Sequence, residues 1–225
     1  MARRINQDAG WNKRRPKSKV YATGTRPTYD KLFKIYCEGK NTEPYYFRSF
    51  PVYTAQVDAI GYGRSKTSLV QYVIDVLEAG EKSNPKREVW IVFDRDFDPT
   101  KNIADQKDDF NRAIQLAERH SYKVAYSNDS FELWFVLHYQ TFDAQLTRVQ
   151  FYEFLSNHLR IPYEREGKTR KFCANIYVDL KPSQEAAIQR AERLHQQQQG
   201  ALPSDQNPCT TVHHLVRELN KYLKK

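Results

Sequence analysis

The sequence predicts an α/β fold: a parallel sheet flanked by helices, continued by a mainly helical C-terminal extension. Three observations carry this. Short apolar runs of strand length alternate with longer segments whose apolar residues recur at helical spacing, giving the order β-α-β-α-β-α-β by residue 126. Two of the runs, KLFKIYC (31–37) and EVWIVF (88–93), stop abruptly at acidic residues. Beyond residue 139 the apolar periodicity is helical alone. The chain divides accordingly into a basic, flexible arm (1–30), an α/β core (31–139) and a helical extension packed on that core (140–225).

The arm holds eight Lys or Arg residues against Asp8 and Asp30, and few apolar residues to offset the entropy of ordering it. Arg14 and Arg15 are candidate phosphate contacts; a solubilising tail would have the same composition. Lys31–Cys37 is the first strand. It runs into Glu38-Gly39-Lys40-Asn41-Thr42-Glu43 and a helix to Phe50, with Thr42 as N-cap and Pro44 in the first turn. Val52–Ile60 alternates as a second strand, and Gly61 and Gly63 make its turn. Thr67–Glu78 has Leu69, Val70, Val73, Ile74 and Leu77 at helical spacing. The continuous apolar run from Glu88 to Phe93 reads as a strand buried on both faces, and Pro99 bars its continuation in a sheet. Asn102–His120 is a helix and Tyr122–Tyr126 a fourth strand. Asp129–Tyr139 is apolar nearly all round and reads as a buried helix.

In the extension, Arg148–Leu159 is helical. Arg160–Phe172 is basic and aperiodic, so a mobile loop along a substrate path is expected there, with Lys168, Arg170 and Lys171 as contacts. Ser183–Gln199 is a polar helix ending in glutamines, and 202–208 a loop. Thr210–Leu223 closes the chain as a helix whose apolar stripe serves either core packing or docking.

Composition narrows the function. At 225 residues the chain can bury a sizeable core, and its net charge of +9 favours a polyanionic partner, nucleic acid or a membrane surface, without choosing between them. No apolar run approaches the roughly 20 residues of a membrane-spanning helix, and the N-terminus lacks an apolar signal core. Cys37, Cys173 and Cys209 show neither zinc nor redox spacing, so a reduced, cytoplasmic protein is expected.

The chemistry concentrates where strands one and three end. Asp94, Asp96 and Asp98 stand at alternate positions past a buried strand, and their repulsion calls for a cation. If strands one and three are neighbours, Glu38 emerges beside Asp94, with Glu43 one helical turn on. Such a set can hold Mg²⁺ or Mn²⁺ through oxygen ligands, and metal-activated water can attack a phosphodiester. Each acid also has a plainer role. Glu38 and Glu43 can be helix-start charges, and Glu132, on an apolar helix, is either a further ligand or the partner of a buried base. Lys40 and Arg95 are placed beside the acids as nucleic-acid contacts. An EF-hand is excluded, since position six of its loop must be Gly and is Pro99, and position twelve is Asp105.

The turn CEGKNTE followed by a strand ending in DRDFD resembles the Toprim domain of topoisomerases, primases and overcoming-lysogenization-defect nucleases. That resemblance implies Glu38 as general acid or base and Asp94 and Asp96 as metal ligands. A closer resemblance is to the RloB-like family of prokaryotic phage-defence proteins, carried by CEGKNTEPYYF, SNDSFELWFVLHY and NPCTTVHHLV. Asp129 departs from the proline expected there, without touching a predicted ligand. The resemblance implies a Mg²⁺-dependent nuclease in anti-phage (abortive-infection) defence with an AAA-type ATPase partner. A non-catalytic nucleic-acid-binding or adaptor subunit is the alternative; DNA or RNA as substrate, and an oligomer, stay open.

Overall fold

The structure is a computed structural model that describes residues 29–224, except 65, 81–83, 97 and 143. Almost all of the basic arm, Arg14 and Arg15 included, lies outside the described residues.

Four parallel strands form the sheet: β1 (Lys31–Cys37), β2 (Ala55–Gly61), β3 (Arg87–Asp94) and β4 (Lys123–Asn128), with a two-residue β5 (Cys209–Thr210) antiparallel to β4. Their order is β2-β1-β3-β4-β5. The chain therefore steps from β1 outward to β2 and then crosses back to β3 on the other side, which makes the gap between β1 and β3 the switch point of the sheet. Helices α1 (Thr42–Arg48), α2 (Lys66–Gly80) and α3 (Ile103–Arg119) connect these strands. The α/β expectation is met. β5 was not expected, because two residues are too few to show alternation; it is held by Ser127 and Thr210, whose hydroxyls lie 2.9 Å apart.

Strand alternation sorts the core into two layers. Ile35, Cys37, Trp90 and Val92 face one side, against α1 and the C-terminal helices. Tyr36, Ile91 and Phe93 face the other, against Leu69, Val73, Phe110 and Ala117 of α2 and α3. Both faces of β3 are covered, which is why its sequence is apolar without interruption.

The chain after β4 continues as α4 (Glu132–Val136), α5 (Arg148–Leu159), α6 (Tyr163–Glu166), α7 (Arg170–Leu180), α8 (Gln184–Gln197) and α9 (Val212–Asn220). Here the mobile-loop expectation for residues 160–172 is corrected, for the segment is α6 and the start of α7. Its order comes from packing that periodicity does not display. Tyr163 is buried, a Cβ at Gly167 would strike its ring, and Thr169 caps α7 by accepting from the Phe172 N–H. The expected cap of α1 also shifts: Thr42 is inside the helix and Asn41 precedes it. The apolar stripe of α9 is core, with Val212, Leu215, Val216 and Leu219 fully buried. Among the described residues no helix is long and apolar enough to cross a membrane.

Candidate functional site

β1 and β3 are hydrogen-bonded neighbours, so their acidic ends meet. Glu38 continues β1 by donating its N–H to Val92 O (2.8 Å), and its Oε2 accepts the Asp94 N–H (3.2 Å). The chain beyond β3 still follows β4, with the Arg95 N–H on Ser127 O and the Asp96 N–H on Asp129 O. Asp96 itself is in the left-handed region (φ 53°), which Asp tolerates better than most residues, and its carboxylate turns to Arg148 at the start of α5.

Two more carboxylates arrive on short helices. Glu43, in the first turn of α1, is buried and accepts the Gly39 N–H (3.2 Å). A Cβ at Gly39 would strike that carboxylate, so the glycine in this turn makes room for Glu43 rather than for a ligand. Glu132 opens α4. It is also buried, with the Tyr163 hydroxyl 3.4 Å and Lys168 Nζ 3.6 Å from its Oε1. Glu38, Glu43, Asp94, Asp96 and Glu132 line one cleft of about 160 Å³, with Arg148, Tyr152 and Lys168 at its rim. A wider cleft of about 730 Å³ adjoins it and shares Glu38, Asp96 and Arg148.

Burial and mutual repulsion set the protonation of this cluster. Glu43 is pushed up to about 7, first by burial and then by Glu132 and Glu38. Asp94 is held well above the usual carboxylate range by burial, then by Glu43, Glu132 and Glu38. Glu38 is raised by burial, an effect that Lys66 reduces from 3.9 Å. Lys168 is raised despite its burial, because Glu132 and the Tyr152 hydroxyl favour its charge.

The donor set is all oxygen and suits a hard divalent cation such as Mg²⁺ or Mn²⁺. One atom points to such a ligand: Asp94 Oδ1 is buried and has no hydrogen-bond partner. The other acids are engaged by protein donors, and the carboxylates do not bring three oxygens within 4.8 Å of one another. The residues fit a metal, with the cluster open around Asp94.

Of the other predicted positions, Asp98 stands apart. Its carboxylate accepts from Thr100 N (3.0 Å) and Thr100 Oγ1 (2.6 Å) and lines the wide cleft. Lys40 is exposed and lies along Gly63, and neither it nor Arg95 is among the residues lining the two clefts. Arg170 is exposed, with Nε 3.4 Å from Asn41 Oδ1, and Lys171 is exposed on α7.

A family model described as RloB-like protein matches residues 33–219. The chain belongs to the RloB-like protein family. The RloB-like match contains every acid of the cleft and each cation at its rim. No curated protein and no solved structure matches the chain.

Sequence reasoning missed three residues that this RloB-like cleft uses. Arg148 lines both clefts, Lys66 approaches Glu38, and Tyr152 contacts Lys168. Arg148 and Tyr152 lie on a helix with no local mark of a site, and Lys66 opens an ordinary amphipathic helix. Only tertiary packing places them.

Proposed function

We propose that this RloB-like protein is a metal-dependent nuclease of Toprim type, acting on DNA or RNA in prokaryotic anti-phage defence with an AAA-type ATPase partner. The observation that carries the catalytic reading is the unpartnered, buried Asp94 Oδ1 among Glu38, Glu43 and Glu132 at the switch point of the sheet. The defence role and the ATPase rest on the family resemblance.

In this reading Asp94 and Asp96 hold Mg²⁺ or Mn²⁺, with Glu43 and Glu132 completing the oxygen donors. The bound ion would activate water and shield the leaving oxygen of a phosphodiester. Glu38, with a raised pKa, would take or return the proton at its carboxylate as general acid or base. Lys66, Arg148 and Lys168 would receive backbone phosphates and exchange their present carboxylate partners for them.

A second reading is a non-catalytic nucleic-acid-binding or adaptor subunit. It is favoured by the Asp96–Arg148 and Glu132–Lys168 pairs, which already compensate two of the acids internally. The test is incubation of the purified chain, alone and with the neighbouring ATPase, with DNA and total RNA in Mg²⁺ or Mn²⁺. Cleavage that requires the metal and disappears in Asp94→Asn is expected. Nucleic-acid binding without cleavage in both preparations would establish the adaptor reading.

A further inference from the structure

Where α8 packs on α9, three imidazoles come together. His195 is in the last turn of α8, and His213 and His214 are in the first turn of α9. One ligand nitrogen from each lies within 4.8 Å of the other two, the only such group of three His, Cys, Asp or Glu among the described residues. Ring centroids are 4.0 Å apart for His213–His214, 5.6 Å for His195–His214 and 6.1 Å for His195–His213.

His213 is the residue that points to a ligand. It is fully buried, and its Nδ1 lies 3.0 Å from the Thr210 carbonyl oxygen. A carbonyl only accepts, so Nδ1 carries the hydrogen and Nε2 carries the lone pair. That Nε2 is buried and has no hydrogen-bond partner. A backbone carbonyl on one ring nitrogen and a free lone pair on the other is the usual arrangement of a metal-bound histidine.

The surroundings keep the rings in the neutral, ligating form. Burial first and then His214 push His213 down to about 3, burial lowers His195, and burial and then His195 lower His214. The start of α9 and Arg217 oppose a cation here. Glu192, three residues before His195, offsets the arginine through two hydrogen bonds of 3.0 and 2.6 Å.

We propose that His195, His213 and His214 form a second metal site that takes a borderline transition ion of the Zn²⁺ class and fastens α8 to α9. Imidazole donors select Zn²⁺ and its neighbours over Mg²⁺, so this site and the acidic cleft would not share an ion. A tetrahedral Zn²⁺ with Zn–N bonds near 2.0–2.1 Å spaces its nitrogens about 3.3 Å apart. The nitrogens, all within 4.8 Å of one another, need close by no more than about 1.5 Å to reach that spacing, and the exposed His214 and half-buried His195 have room to do so. Glu192 is held by Arg217, which leaves the fourth position to water.

The test is titration of the metal-stripped full chain with Zn²⁺ and Co²⁺ in excess Mg²⁺, comparing wild type with His195→Asn and His214→Asn. His214 is at the surface, so its substitution leaves the fold intact, as far-UV circular dichroism would verify. The wild type should bind one more equivalent than either variant, give the intense visible bands of tetrahedral Co²⁺, and melt higher with Zn²⁺. Either variant should weaken that equivalent by about 100-fold or more, since even outer-shell losses cost 10- to 100-fold. Unchanged Co²⁺ spectra and stoichiometry in folded His214→Asn, or no tetrahedral bands in wild type, would overturn the site. Neither result bears on the nuclease reading.

Discussion

At the ends of β1 and β3, the protein gathers carboxylates that repel one another and must be neutralised. At the α8–α9 contact it gathers imidazoles that stay neutral by giving up their protons. The first cluster holds protons more tightly in the folded chain than in the unfolded one: Glu43 is pushed up to about 7, and Asp94 and Glu38 are raised. The second holds them less tightly, with His213 near 3 and His195 and His214 lowered. The same physical cause, burial, therefore gives the two regions opposite pH dependence.

The largest expected effect breaks the acidic cleft chemically. Glu38→Gln should retain Mn²⁺ binding yet cleave on the order of 10²-fold more slowly, the usual scale of acid–base assistance. Single-turnover cleavage with parallel Mn²⁺ calorimetry checks this, and loss of Mn²⁺ binding would make Glu38 a ligand instead.

The next effect sharpens the contrast in pH. For the metal-free protein, stability due to Glu43 is fully present below about 4.5 and is lost as pH rises to about 7, so Glu43→Gln should flatten that decline. The imidazoles act in reverse: their stability is present above about 6.5 and is lost as pH falls toward 3. Urea melts of wild type, Glu43→Gln and His213→Gln across pH 4–8 should give difference curves of opposite slope. Parallel curves would refute the contrast.

Smaller effects follow at the rim. Gly39→Ala should push the Glu43 carboxylate aside and weaken Mn²⁺ binding, on the order of 10-fold, without unfolding the chain. Arg148→Ala removes a pair whose partners are both half-exposed, so stability should change by about 1 kcal/mol or less. Its salt slope for duplex DNA should fall by about 0.9 if Arg148 meets a phosphate. An unchanged slope in filter binding would remove Arg148 from the interface.

The two regions also differ in how far they could be read from sequence. Glu38, Asp94 and Asp96 were legible because a buried strand that stops at an acid is a local pattern, and the sheet order then brings the ends together. Asp98 was grouped with them by spacing alone, but Thr100 and Lys101 draw it into the neighbouring cleft. Arg148 and Lys66 carry no local signal. His195, His213 and His214 carry no local mark of a site, because residue 195 meets 213 and 214 only through helix packing. α6 left no signal because four residues are too few to show a period, whereas α7 does carry Cys173, Ile176, Tyr177 and Leu180 at helical spacing, beyond the basic stretch on which the loop expectation rested.

The central claim is that Asp94 Oδ1 is unpartnered because a divalent cation completes it. Calorimetric titration of wild type and Asp94→Asn with Mn²⁺, at pH 7 in two buffers of different ionisation enthalpy, tests it most directly. Wild type should bind Mn²⁺ and release protons from the raised carboxylates, giving buffer-dependent heats, and Asp94→Asn should bind at least about 10²-fold more weakly. Equal affinity in the two proteins, or binding without proton release, would contradict the account.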